Sequence, residues 1–375
     1  MYAPRAQEGF HVPHSLKPIG LAFVAICVTV AVWAGLSART TSNEAGFFTG
    51  SALPDPASVR SVAYIVPRSS FDAVYLRAVD SSAPPRFIAS FPVILDLHIR
   101  GSVSPMADRA VLLRADSIEG ASARLTMMML PSGDVSEADA SVDYSSHLAW
   151  APDGSTLAAV STARLESGKP LSSVIEYHTG SGSVTSVAHF EGALQVAPVG
   201  YSFDGSRLYV VVVDQSGSAL WLVANEAQER LTLFSPGPTS QWSLSADGAR
   251  LAFVARIGAG ERTYAGKVLV IATSSVTDIP ARADQIGAAW RPGALLPDFG
   301  GPGGSLQLTD PRSDGYVIPM RWSPDGRSLV AAVYGPATAG STASTPSMEL
   351  VSADRRERLA ADEGALFLGW VRNGD

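Results

Sequence analysis

Cysteine is almost missing from this chain. The single one, Cys27, lies inside an apolar N-terminal segment, which excludes an intrachain disulfide and a cysteine metal site. The lack of disulfides is compatible with export, because a chain of 375 residues can bury a core that needs no such staples. Charge is also sparse: 17% of residues are charged and the net charge is −7. No Lys/Arg cluster stands out, since Arg355, Arg356 and Arg358 are interrupted by Glu357. This argues against nucleic acid as a general partner. Histidines number six, and His11 and His14 precede the apolar segment. His98, His147, His178 and His189 show no His-x-x-x-His spacing, so no zinc site is read. No Gly-x-Ser-x-Gly elbow occurs, which argues against a propeller-linked serine hydrolase. Phe299-Gly-Gly-Pro-Gly-Gly304 lacks the Lys-Ser/Thr of a phosphate loop and reads as a flexible surface loop.

Long apolar runs are limited to one. Ile19 to Leu36 contains no charge and, as a helix, would span about 27 Å, close to a hydrocarbon core of about 30 Å. Arg5 and Lys17 precede it and Arg39 follows, a bias that places the N-terminus in the cytoplasm and everything after residue 38 outside. The rival reading is a signal peptide cleaved near Ser37-Ala38, which would release the protein. The domain plan is then a cytoplasmic tail (1–18), a transmembrane signal-anchor helix (19–38), a Ser/Thr/Gly/Pro-rich flexible tether (39–58) and a folded domain (59–375).

Within that domain one phrase returns: Trp150-Ala-Pro-Asp-Gly154, Tyr201-Ser-Phe-Asp-Gly205, Leu244-Ser-Ala-Asp-Gly248 and Trp322-Ser-Pro-Asp-Gly326. Ser-Pro-Asp-Gly suits a type I turn, with Pro presetting φ and Gly favoured at the last position. The strands leaving the turns are continuously apolar (Leu157–Val160, Leu208–Val213, Leu251–Ala255, Leu329–Val333), as in strands covered on both faces. Blades stacked around an axis give such cover. Degenerate copies are Trp290-Arg-Pro-Gly293, Trp370-Val-Arg-Asn-Gly374 and an expanded one at Ser104–Asp108. Markers near 108, 153, 204, 247, 293, 325 and 373 give an all-β fold, a single β-propeller of seven four-stranded blades, with six or eight left open. The first three strands (near 59–66, 73–79 and 86–91) lack a partner that the C-terminal strand 366–371 supplies as an inner strand, closing the ring.

At these positions the chain resembles the TolB-type propeller repeat, whose consensus centres on Trp-Ser-Pro-Asp-Gly followed by an apolar strand. The resemblance implies a propeller that works in the cell envelope by binding protein. In the family's namesake an α/β domain precedes the ring; here a membrane segment and a tether stand there.

The recurrent residues read as structural elements. Trp150, Tyr201, Trp290, Trp322 and Trp370 are assigned to packing between blades, and Asp153, Gly154, Asp204, Gly205, Asp247, Gly248, Pro324, Asp325 and Gly326 to turns. No catalytic residue, metal or cofactor is assigned. Met127-Met128-Met129 reads as part of a blade strand, and Gly335 to Ser347 as a long excursion between strands. The leading expectation is a non-enzymatic binding or scaffold protein. It would be held at the bacterial cytoplasmic membrane by its N-terminal helix, with the propeller outside and an envelope protein as partner. The alternative is a small-ligand receptor or enzyme with its site in the central channel.

Overall fold

The computed structural model describes residues 53–373 except 95–96, 117–121, 226, 259–262, 282–283, 303–314, 336–344, 354 and 361–363. The expected membrane helix (19–38) and most of the tether lie outside the described residues, as do residues 336–344 of the 335–347 excursion. Among the described residues no helix is long and apolar enough to cross a membrane.

Strands form six antiparallel sheets. Blade 1 holds β1 (Ser61–Pro67), β2 (Phe71–Ala78) and β3 (Arg86–Pro92). Blade 2 holds β4 (Arg100–Val103), β5 (Arg109–Ala115), β6 (Ser122–Met129) and β7 (Val135–Asp143). Blade 3 holds β8 (Ala149–Trp150), β9 (Thr156–Arg164), β10 (Pro170–His178) and β11 (Val184–Glu191). Blade 4 holds β12 (Gln195–Tyr201), β13 (Leu208–Asp214), β14 (Gly217–Ala224) and β15 (Ala227–Ser235). Blade 5 holds β16 (Thr239–Leu244), β17 (Arg250–Arg256), β18 (Tyr264–Val270) and β19 (Ser275–Asp278). The sixth sheet holds β20 (Ile286–Ala289), β21 (Asp298–Pro302), β22 (Tyr316–Trp322), β23 (Ser328–Tyr334), β24 (Ser347–Ser352) and β25 (Arg356–Arg358). The last strand, β26 (Leu366–Val371), returns to pair antiparallel with β1 and completes blade 1. Asn373 fastens the same seam: its N–H donates to the Ser58 carbonyl at 3.0 Å, and its Oδ1 accepts from the Ser61 hydroxyl at 2.7 Å.

The ring therefore has six blades rather than seven. The turn at Trp290–Gly293 is present, but among the described residues only one strand, β21, lies between it and β22. Strand β21 pairs β20 through Asp298–Gly300 and β22 through Gly301–Pro302, so both join the sixth sheet. Glycine permits this merger: a Cβ on Gly300 would lie 2.0 Å from the Val317 carbonyl oxygen. The same strand corrects the surface-loop reading of Phe299–Gly304, because Phe299, Gly300 and Gly301 are buried.

Seams between blades are filled with aliphatic side chains. Six consecutive residues of β13, Leu208 to Val213, are buried because one face meets blade 3 and the other blade 5. At about 25 cal/mol per Å², such strands supply most of the favourable term in folding. Met127 and Met128 are buried in β6, and Met129 is exposed at its end.

The repeated turn explains itself at atomic level. Gly154, Gly205, Gly248 and Gly326 have φ between 67° and 73°, where a side chain is strained. Each donates its N–H to the carbonyl three residues back at 2.8–2.9 Å. The preceding aspartate caps the turn: Asp153, Asp204, Asp247 and Asp325 each accept, through Oδ1, the N–H two residues on at 3.0–3.1 Å. At Ser104 the same turn occurs at ordinary length rather than expanded. Ala107 takes the glycine place at φ 57°, and Asp108 falls one residue after it.

Candidate functional site

The strands nearest the axis are β26, β4, β8, β12, β16, β20 and β22. Of these, β26 neighbours β4, β8 neighbours β12, β12 neighbours β16, and β20 lies between β16 and β22. All run in one direction, from an entry face to the face that carries the Asp-Gly turns.

The aromatic residues at the ends of these strands hold blades together. Trp290 Nε1 donates to the Ser243 carbonyl at 2.9 Å and Trp370 Nε1 to the Arg321 carbonyl at 3.4 Å. Trp322 is buried, donates to Asp298 Oδ2 at 2.9 Å and carries the Arg291 guanidinium 5.0 Å above its ring. Burial raises the Asp298 carboxyl above its ordinary range, although the Trp322 hydrogen bond and the Arg291 charge oppose that. The Tyr201 hydroxyl donates to Glu176 Oε1 at 2.8 Å, and burial with the Glu176 charge pushes its pKa far up. Trp150 is half-buried beside the blade 2–3 seam cluster. The turn aspartates are spread over separate blades. Hydrogen bonds from Ser202 and Ser206 hold Asp204 below the usual carboxylate range. Burial pushes Asp247 up, but Ser245, the Ala249 N–H and Arg250 outweigh it and hold it low. Pro324 is exposed at its turn. Among the described residues no group of three or more His, Cys, Asp or Glu side chains is placed to hold a metal.

A polar cluster that recurrence alone does not reveal lies at the entry face. Asp72, fully buried at the start of β2, accepts the Ile99 N–H at 2.6 Å and faces His98 Nδ1 at 2.8 Å. The Tyr144 hydroxyl donates to the His98 carbonyl, and Arg100 donates to the Tyr144 carbonyl at 3.2 Å. Burial raises the Tyr144 pKa. His147 packs edge-on against Trp242 at 5.4 Å, and burial together with the Arg100 charge lowers its pKa, keeping it neutral.

The inner strands have an unusual chemistry. None of the seven contains Asp, Glu, His or Cys, and only two charged residues occur, Arg100 and Arg321. Elsewhere several charges meet a partner of opposite sign. A cleft of about 300 Å³ at the seam of blade 1 and the sixth sheet is lined by Arg60, Asp80, Asp325 and Arg327. There Arg60 meets Asp80 at 2.9 Å and Arg327 approaches Asp325 at 3.9 Å. The sequence signal for Arg321 was readable: the residue just before the first position of each turn phrase (Val103, Trp150, Tyr201, Leu244, Trp290, Trp322 and Trp370) is Ser102, Ala149, Gly200, Ser243, Ala289, Arg321 and Gly369. Six copies are small and one is arginine.

Six sheets around an axis, closed by the C-terminal strand, define a six-bladed β-propeller. Its structural neighbours include TolB-type propellers. TolB from Acinetobacter baumannii is 16% identical over 84% of this chain and 68% of its own, with a TM-score of 0.51. The β-propeller domain of the Trilobed protease from Pyrococcus furiosus, described as having an open velcro topology, is 12% identical over 85% of this chain and 98% of its own, at 0.53. Acylaminoacyl peptidase from Pyrococcus horikoshii is 13% identical over 80% of this chain but only 52% of its own, also at 0.53. At these identities the likeness shows the fold alone. No protein-family model and no curated protein sequence matches the chain.

Proposed function

We propose that this chain is a non-enzymatic binding protein of the bacterial cell envelope, with residues 19–38 as membrane anchor and the propeller outside as a protein-interaction platform. One observation carries the reading: the inner strands hold no carboxylate, imidazole or thiol. Acid–base or nucleophilic catalysis in the channel would need such groups within about 3 Å of one another. A rigid ring with varied face loops instead offers a surface for recognition. TolB-like neighbours fit this reading; the peptidase neighbours share only the fold and, in the Pyrococcus horikoshii enzyme, about half the chain.

The test is site-specific photo-crosslinking in intact cells. Probes replace Phe71, Leu194 and Tyr316, exposed on the entry face, and Val184 and Val276, exposed on outer strands. The platform reading expects a discrete crosslinked envelope protein from entry-face probes and none from outer-strand probes. Absence of any product from the entry face would count against it. External protease on spheroplasts tests the topology, and protection of the propeller would overturn the outside assignment. The second reading, a ligand site in the channel, is favoured by one observation, the unpaired Arg321.

A further inference from the structure

Arg321 breaks the repeat at a position where the ring tolerates little. At the matching places in β12 and β26, a Cβ on Gly200 would lie 2.6 Å from Leu244 Cδ2, and one on Gly369 would lie 2.5 Å from Val103 Cβ. The register to the next strand shifts at this place in β22 as it does at Gly200 in β12, so the backbone is shared and the long side chain is what sets Arg321 apart. The neighbouring Trp322, Pro319 and Val317 are buried, while Arg321 is exposed to water. Yet enough protein surrounds it that burial lowers the guanidinium pKa, and no carboxylate offsets this. Both hold for a side chain in a narrow, water-filled space. For an inner strand that space is the central channel.

The guanidinium has no counter-ion. No hydrogen bond or ion pair of its side chain occurs among the described residues; Arg164, Arg207, Arg230 and Arg256 share this at exposed positions away from the inner strands, whereas Arg321 stands on an inner strand. Nor do the inner strands supply one, because none of their residues is an acid. Arg100 adds a second cation. It stands two residues before Ser102, the counterpart of Arg321, and so about 7 Å nearer the entry face along the strands. Inner strands with two cations and no acid among their residues, in a chain of net charge −7, focus positive potential inside an otherwise acidic molecule.

The geometry points to the central channel as a binding site for a carboxylate-bearing ligand, with Arg321 as the group that pairs the carboxylate. A planar fork of N–H donors matches a carboxylate in two parallel hydrogen bonds. The Arg100 charge attracts the ligand from the entry side. This goes beyond the platform reading and does not depend on it, since the carboxylate can belong to a free small molecule or to an acidic side chain of a peptide.

The experiment titrates the full-length chain in detergent, at low ionic strength, with citrate and separately with tetraglutamate, by calorimetry. The wild type is expected to bind at least one probe, more weakly as salt rises. Arg321→Gln should lose about ten- to a hundredfold in affinity, Arg321→Lys should keep part of it, and Arg124→Gln, on an outer strand, should change nothing. Tighter tetraglutamate binding assigns the carboxylate to a peptide, and tighter citrate binding to a small molecule. The proposal is overturned if the wild type binds neither probe. It is equally overturned if Arg321→Gln binds as tightly as the wild type, or if Arg124→Gln loses as much.

Discussion

Blade 4 and the sixth sheet start from the same turn phrase and end differently. Blade 4 follows the Tyr201–Gly205 turn with three strands, and its β13 is buried for six residues in succession. Among the described residues, the chain after the Trp290 turn makes one short strand, β21, which pairs on to β22. The difference teaches that the phrase specifies a turn between two strands and not a blade. A blade needs enough chain for three strands after the turn. Where the chain is too short, backbone exposed along β21 pairs with the next sheet instead, since unpaired strand edges are costly.

The predictions grade this contrast. The largest effect is expected from removing residues 366–375, which takes the inner strand from blade 1. Cooperative thermal unfolding by circular dichroism should vanish, and a truncated chain that melts like the full one would show that closure is dispensable. Next comes Leu220→Ala in blade 4, whose side chain is fully buried. It should cost about 2–5 kcal/mol in denaturant unfolding. Leu295→Ala and Leu296→Ala, exposed beside the Trp290 turn, should stay within about 0.5 kcal/mol. Gly300→Ala probes the merger directly. Its Cβ would collide with the Val317 carbonyl, and a loss of about 1–3 kcal/mol is expected. An unchanged midpoint would mean that β21 and β22 are not joined there.

The smaller effects concern single turns and protons. Ala107→Gly relieves a left-handed backbone and should stabilise by about 0.5–1 kcal/mol. Acid should destabilise the ring in two steps. His147 has a folded pKa below its unfolded value of about 6.5, so its contribution is complete above that pH and falls as protons bind the unfolded chain preferentially. Asp204 and Asp247 are likewise depressed, and their contribution is lost below about pH 4. His147→Phe should abolish the first step in a pH series of melting temperatures and leave the second.

Much of the fold was legible because a turn leaves a mark in sequence. Asp at 153, 204, 247 and 325, each followed by Gly, is required by hydrogen-bond geometry and positive φ. Sheet membership leaves no such mark. Whether Gly300–Gly301 is loop or strand depends on the Val317 carbonyl reaching it from another part of the chain. The channel site was hidden for the opposite reason. Recurrence draws attention to what repeats, whereas Arg321 matters because it does not. Its meaning emerges only when the residues just before the turn phrases are set side by side.

An unpaired guanidinium on an inner strand, in contact with water but crowded by protein, is partly desolvated, and that is unfavourable for folding when no ion pair offsets it. If the channel holds a carboxylate ligand, Arg321 persists for that ligand and not for stability. The most direct test is the melting temperature of ligand-free Arg321→Gln against wild type. The account predicts a variant at least as stable as wild type. A clear loss of stability would show Arg321 to be a structural element of the ring and contradict it.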